Sequence, residues 1–199
     1  MFIHALTLLG VSAIAAATVN QTTCNGKTYL YEELAGYGSV PSDFRDKFGD
    51  TLSMGSSLAL DRSAWKKNSD GTYEGIVWGL PDRGWNTQGT QNSQSRVHKF
   101  HIKFTPKPDA TVANPSPPNL IFDYLDTILF FGPDGLPTTG LDPTTSHTYP
   151  GFPVMPYATW PGDGDGGPGP GGEGIPIDSE GLVLGDDGSF WVSDECEST

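Results

Sequence analysis

The segment Asp178-Ser179-Glu180-Gly181-Leu182-Val183-Leu184-Gly185-Asp186-Asp187-Gly188-Ser189-Phe190-Trp191-Val192-Ser193-Asp194-Glu195 decides how the rest of the chain is read. Two short β-type runs flank Gly185-Asp186-Asp187-Gly188, and a Gly/Asp turn between such runs is the strongest local signal for a β-hairpin. A hairpin folds its open ends together. It therefore gathers Asp178 and Glu180, from the first run, with Asp194 and Glu195, from the end of the second. Like charges brought together raise one another's pKa or draw in a cation. The open end is a candidate metal or acid–base site, with a solvated rim of acids as the plain alternative.

Upstream of the hairpin the β signal recurs. Ser57 to Leu60 and Tyr73 to Leu80 read as strands, the second stopped by Pro81-Asp82-Arg83-Gly84-Trp85. From Val97 to Phe104 the alternation is clean, with Phe100, Ile102 and Phe104 on one face and Lys99, His101 and Lys103 on the other. His98 falls with the apolar set and reads as a hydrogen-bonded core histidine; His101 reads as a surface residue. Leu120 to Phe131 is again β-rich. Asp61 to Gly71 reads as a loop, Ser42 to Asp50 as one helical turn or a polar loop, and no stretch sustains a helical period. The fold class expected is all-β.

Between Pro133 and Pro176 the composition shifts to Gly, Pro, Asp and Thr, which reads as one long loop. Its centre, Gly162-Asp163-Gly164-Asp165-Gly166-Gly167, looks like a calcium loop but fails the EF-hand pattern, since Gly167, Pro168 and Gly174 stand at its fifth, sixth and twelfth positions. A flexible acidic loop is the default reading, and a different calcium site using Asp163 and Asp165 is the alternative.

The N-terminal run Phe2 to Ala17 is apolar and ends in Ala15-Ala16-Ala17, the pattern of a secretory signal peptide, too short for a membrane span. The mature chain is then exported, beginning near Thr18, and Asn20-Gln21-Thr22 becomes a usable N-glycosylation acceptor. Charge is distributed unevenly: all 11 Lys and Arg lie between Lys27 and Lys107, and the net charge of −13 comes from the region after Pro108. Such a surface repels nucleic acid, acidic lipid and phosphorylated substrates unless a cation intervenes. Nucleic-acid and membrane partners are therefore not expected after signal cleavage. No Gly-x-Ser-x-Gly elbow, complete phosphate-binding loop or paired Cys/His zinc motif is present.

Acid-x-Glu-Gly-Leu, a turn, an aromatic strand and Ser-Asp-Glu together look like the inner part of a β-propeller blade. The segments YLYEELAGYG (Tyr29 to Gly38), RDKFGDT (Arg45 to Thr51), LPDRGWNTQGT (Leu80 to Thr90), RVHKFHIKF (Arg96 to Phe104) and Asp178 to Glu195 resemble the secreted proteins described as having the "esterase-like activity of phytase", a phytase-like domain family common in fungi. The resemblance implies an extracellular β-propeller-like hydrolase of phosphoesters or carboxylic esters. By analogy with calcium-dependent propeller hydrolases, Asp178, Glu180, Asp194 and Glu195 would hold Ca2+, which bridges an anionic substrate. Asp82, Arg83, Glu180 and Asp194 are then the candidate catalytic residues. Arg83 either meets substrate phosphate or forms a salt bridge to Asp82 or a rim carboxylate.

This family continues past Ser-Asp-Glu with Tyr-Gly-Pro-Tyr and further blades, whereas this sequence reads Cys196-Glu197-Ser198-Thr199. With blades of about forty residues, residues 18–199 would make an incomplete propeller of some two to three blades with long Gly/Pro-rich loops, truncated after Glu195. A Cys24–Cys196 disulfide is not expected, because Cys196 belongs to the departing tail. A fragment of this kind would be inactive if later blades supply part of the site, and a non-enzymatic secreted propeller binding module is the alternative function.

Overall fold

The computed structural model describes residues 20–31, 36–111 and 114–196. The signal peptide read at Phe2 to Ala17 lies outside them. No helix occurs among the described residues, so the all-β class holds. The sheets are small and antiparallel, and four in number among those residues.

The largest is a four-stranded meander of β3 (Ser57–Lys67), β4 (Tyr73–Leu80), β5 (Arg96–Phe104) and β6 (Leu120–Leu129), each strand paired to its neighbour in sequence. β4 and β6 begin where the β-branched and aromatic runs predict, and β4 ends at Pro81, which has no N–H to offer the ladder. β3 is longer than expected. The polar stretch Asp61 to Lys67, read as loop, stays paired to β4 at its two ends, across a register shift in which Arg62 to Trp65 face the single Gly75 of β4. Ser42 to Asp50 forms no helix; it is a turn closed by the Arg45–Thr51 bridge.

Both faces of the meander are covered. Trp78, Leu80, Ala59 and Val97 pack against Leu182, Leu184, Phe190 and Val192 of the C-terminal hairpin. On the opposite face Val77, Phe100 and Ile102 pack with Val40, Leu52, Met54 and Phe122. Phe100 is fully buried, and truncating such a ring to Ala costs about 3–5 kcal/mol.

A short hairpin of β1 (Asn20–Cys24) and β2 (Lys27–Tyr31) precedes the meander. The region from Pro133 to Pro176 is the main correction to the sequence reading. It contains a three-stranded sheet of β7 (Thr145–Thr148), β8 (Val154–Trp160) and β9 (Gly172–Gly174), with its own small core of Tyr149, Tyr157 and Ile175. Two tyrosines and an isoleucine suffice for a local cluster that the glycine and proline content hides.

The expected C-terminal hairpin is present as β10 (Ser179–Leu184) and β11 (Phe190–Asp194). Gly188 closes its turn with φ of 83°, a left-handed conformation that favours glycine. Ser179 pairs with Asp194 and Gly181 with Ser193, so Glu180 is the extra residue of a bulge. A bulge redirects the side chain it contains.

Candidate functional site

β4 stops at Leu80 and delivers Asp82 and Arg83 to the edge of the meander. Asp82 Oδ1 accepts the N–H of Gly84 at 3.3 Å, and Gly84 adopts φ of 99°. The Arg83 carbonyl accepts the Ser93 hydroxyl at 2.8 Å, so the loop is tied to the start of β5. From the other end of the chain, Thr139 pairs with the strand-like run at Pro176: Thr139 N–H donates to Ile175 O and Ile177 N–H to Thr139 O. This places Asp178 beside Arg83.

Asp178 is held by both sides of the hairpin mouth. Its N–H donates to Asp194 Oδ1 at 2.7 Å, and its carbonyl accepts the Glu195 N–H at 3.0 Å. Its carboxylate is buried, with Oδ2 2.9 Å from Arg83 Nε. That Nε–H is not aligned with the contact, so the pair is an electrostatic one without a directed hydrogen bond. With the neighbouring acids ionised, no N–H or O–H of the protein donates to Oδ1. Arg83 also meets Asp142 Oδ1, through Nη1 at 2.9 Å.

Asp82, Asp178 and Glu180 each place a carboxylate oxygen within 4.8 Å of the other two. Among the described residues this is the single group of acids, histidines and cysteines with such spacing. Burial pushes the Asp178 carboxyl up to about 6, hydrogen bonding to Asp82 and the charges of Asp82 and Glu180 add to the rise, and Arg83 opposes it. Two carboxylates at hydrogen-bonding range share a proton or a cation, because neither has a hydrogen to donate when both are ionised.

The hairpin mouth thus unites some of the expected residues and not others. Asp178 and Glu180 come together as expected. Asp194 serves the backbone instead, accepting from Asp178 N and from Cys196 N at 3.1 Å. Glu195 is exposed and contributes its N–H. The third carboxylate is Asp82, from the end of β4. Of the two roles open to Arg83, the observed one is a salt bridge, to Asp178 and Asp142 instead of Asp82. Burial pushes the Cys196 thiol up to about 11, with Asp194 adding to it, so this half-buried side chain is no thiolate nucleophile. Cys24 is exposed and free.

Asp82 and Arg83 also border a cleft of about 480 Å³. Its wall includes Arg96 and His98, which sequence reading did not place near the hairpin acids. Arg96 Nη1 lies 2.9 Å from Asp46 Oδ2 and 2.7 Å from Asp50 Oδ2. Asp46 Oδ1 accepts the N–H groups of Phe48 and Asp50. Burial by itself would raise the Asp46 pKa, but these N–H donors and the Arg96 guanidinium hold it below the ordinary value. His98 is fully buried, as its place in the apolar set suggested, and its Nδ1 lies 2.8 Å from Thr127 Oγ1. Burial pushes the imidazole down to about 4, so it is neutral at physiological pH.

In the acidic loop at Gly162 both acids bond to backbone. Asp163 Oδ1 accepts the N–H groups of Asp165 and Gly167, and Asp165 Oδ1 accepts that of Asn92. Both acids are occupied by backbone, which holds the loop against the Asn92 segment.

The chain is 59% identical over 180 residues to a protein of Arthroderma benhamiae that bears the name "Uncharacterized secreted protein". The match takes in 89% of this chain and 35% of that protein, so the chain spans about a third of the length of the curated relative it matches. No family model matches the chain, and no solved structure matches it. Like its relative, this chain is a secreted protein.

Proposed function

We propose that this protein is an extracellular, divalent-cation-assisted hydrolase of phosphoesters or carboxylic esters, of phytase-like or esterase-like type. The observation that carries the reading is the buried Asp178 carboxylate, whose Oδ1 receives no protein N–H or O–H when Asp82 and Glu180, within 4.8 Å, are ionised. Three carboxylates with an orphaned oxygen fit a hard, oxygen-seeking ion, and Ca2+ is the candidate because it tolerates irregular carboxylate geometry. Asp82, Asp178 and Glu180 would hold it. Such an ion supplies positive charge to an anionic substrate and lowers the pKa of bound water.

The chain's own residues have distinct parts in this reading. Arg83 holds Asp178 in place and keeps Nη1 turned to the exposed Asp142, a partner that a substrate oxyanion can displace. Asp194 fixes the hairpin mouth through backbone hydrogen bonds and so positions Asp178. A β-propeller arrangement belongs to the same proposal: the β3–β6 meander has the four antiparallel strands of a blade, and the hairpin carries the family-like Ser-Asp-Glu end.

The test is hydrolysis of p-nitrophenyl phosphate and p-nitrophenyl acetate by the purified chain and by its longer relative, with calcium or with EDTA. Calcium-dependent turnover that falls by at least tenfold in Asp178→Asn supports the proposal. Inactivity of both proteins on both substrates sinks it. Calcium binding without turnover in either protein would favour the second reading, a non-enzymatic binding module, which rests on the missing Gly-x-Ser-x-Gly elbow.

A further inference from the structure

A second cavity, of about 470 Å³, shares Gln94 with the cleft beside Arg83 and lies where the loop before β7 meets β8 and β9. Its volume falls in the range of small-molecule sites. The apolar part of its wall is Trp160, the last residue of β8, with Leu136 and Pro137. Trp160 pairs with Gly172 across the β8–β9 ladder. A Cβ at Gly172 would stand 2.6 Å from Trp160 Cζ2, and one at Gly164 would stand 2.9 Å from its Cδ1. Only glycine leaves room for the ring at these two places. The indole is thus held in position, half-buried, and among the described residues no other ring and no Lys or Arg stacks on it.

The polar part of the wall is unsuited to an anion. It contains no Lys, Arg or His. Asn92 Nδ2 already donates to Asp163 O, Gln94 Nε2 to Phe130 O, and the Thr138 hydroxyl to the same Phe130 carbonyl. Negative charge, by contrast, borders the cavity. Glu173 belongs to its wall, Asp165 Oδ1 accepts the Asn92 N–H at 2.8 Å, and Asp134 Oδ1 accepts that of Leu136 at 2.9 Å. No Lys or Arg occurs from Pro108 onward to balance them. The field of these carboxylates favours a positive occupant over a neutral one of the same shape.

We propose that this cavity binds a quaternary ammonium ion of the trimethylammonium class, with its methyl groups against Trp160, Leu136 and Pro137. Two properties of the wall select that class. Trp is the strongest of the aromatic side chains in attracting a cation, and the surrounding carboxylates add to the attraction. A primary ammonium brings N–H donors that each require an acceptor, whereas a quaternary one brings none and presents only methyl groups to the apolar wall. The proposal goes beyond the hydrolase reading and does not rest on it, since Asp82, Asp178 and Glu180 are not part of this cavity.

The experiment is an NMR titration of the nitrogen-15-labelled chain with choline chloride in EDTA, read at the Trp160 indole N–H, the cross-peak that Trp160→Phe lacks. Saturable movement is expected, with a dissociation constant on the order of millimolar. The neutral tert-butyl analogue of choline, in which carbon replaces the nitrogen, should bind about tenfold more weakly, because it keeps the shape and loses the charge. Glu173→Gln, at an exposed position, should weaken choline binding roughly twofold, and Asp178→Asn should leave it unchanged. No saturable shift at Trp160 overturns the proposal. Equal affinity for the neutral analogue, or a shift of the same size with sodium chloride, overturns it too. Loss of choline binding in Asp178→Asn would place the cation at the acid cluster and likewise overturn it.

Discussion

Two arginine–aspartate groups border the same cleft, and they are built from the same side chains with opposite results. In the Arg96 group, Asp46 is buried with both oxygens filled, Oδ1 by two backbone N–H donors and Oδ2 by the guanidinium. In the Arg83 group, Asp178 is buried with one oxygen facing Arg83, the other unbonded, and two further carboxylates close by. Asp46 is held below its ordinary pKa and Asp178 above it. The difference teaches that burying a carboxylate is not what marks a site. What marks it is burial with the hydrogen-bonding account left open.

The largest expected effect breaks the closed group. Asp46→Ala leaves the buried Arg96 with only exposed Asp50, and removing one partner of a buried pair costs about 3–5 kcal/mol. Chemical denaturation should show this loss, whereas Asp178→Asn, measured without a cation, should hold or raise stability at pH 7 because it relieves crowded negative charge. A loss in Asp178→Asn as large as that in Asp46→Ala would erase the contrast.

Calcium sharpens it. At a hundredfold excess over its dissociation constant a ligand that binds only the folded state stabilises by about 2.7 kcal/mol. The melting temperature should therefore rise with calcium in the parent chain and not in Asp178→Asn, as differential scanning calorimetry will read.

A smaller effect lies in pH. The folded Asp178 carboxyl titrates at about 6 against an ordinary 3.8, so in EDTA its contribution to stability is present below about pH 4 and lost as pH rises through 6. His98 has the opposite sign: it titrates at about 4 when folded against an ordinary 6.5, so its contribution is present above 6.5 and lost as pH falls through 4. The two slopes oppose each other in the parent. In Asp178→Asn the stability measured in EDTA should rise more steeply from pH 4 to 6.5, and an unchanged slope would refute the Asp178 assignment.

The smallest effect comes from the acidic loop. Asp163→Ala removes an acceptor for two backbone N–H groups of an exposed turn, so it should lower the melting temperature only slightly and leave the calcium response intact. Loss of the calcium response in this variant would move the ion to Gly162–Gly167.

Much of this was legible in the sequence, for reasons that differ by region. The hairpin turn, the alternation in β5 and the proline stop after β4 are local signals, and the structure keeps each of them. Two of the three acids in the cluster were legible as neighbours because Asp178 and Glu180 are close in sequence. Asp82 was named as a catalytic candidate, but its place among these acids was not legible, since only the docking of the hairpin on β4 brings it near. That Asp194 Oδ1 accepts two backbone N–H groups was not legible, because proximity to the mouth does not reveal it. The β7–β9 sheet was hidden by glycine and proline, which lower strand propensity without preventing a few aromatic contacts from winning. The resemblance to phytase-like proteins rests on its motifs alone.

One hydrogen bond described by neither region has a consequence for how the protein comes to exist at all. Leu182 N–H donates to Ser57 Oγ across 125 residues of sequence, at the seam where the hairpin sits on the meander. The meander joins neighbours and closes short loops, whereas the seam closes a loop of 125 residues. Chain-closure entropy makes the second step the slower one. The expected order of folding is the meander first and the acid cluster last, and during synthesis the cluster cannot form until the hairpin has left the ribosome.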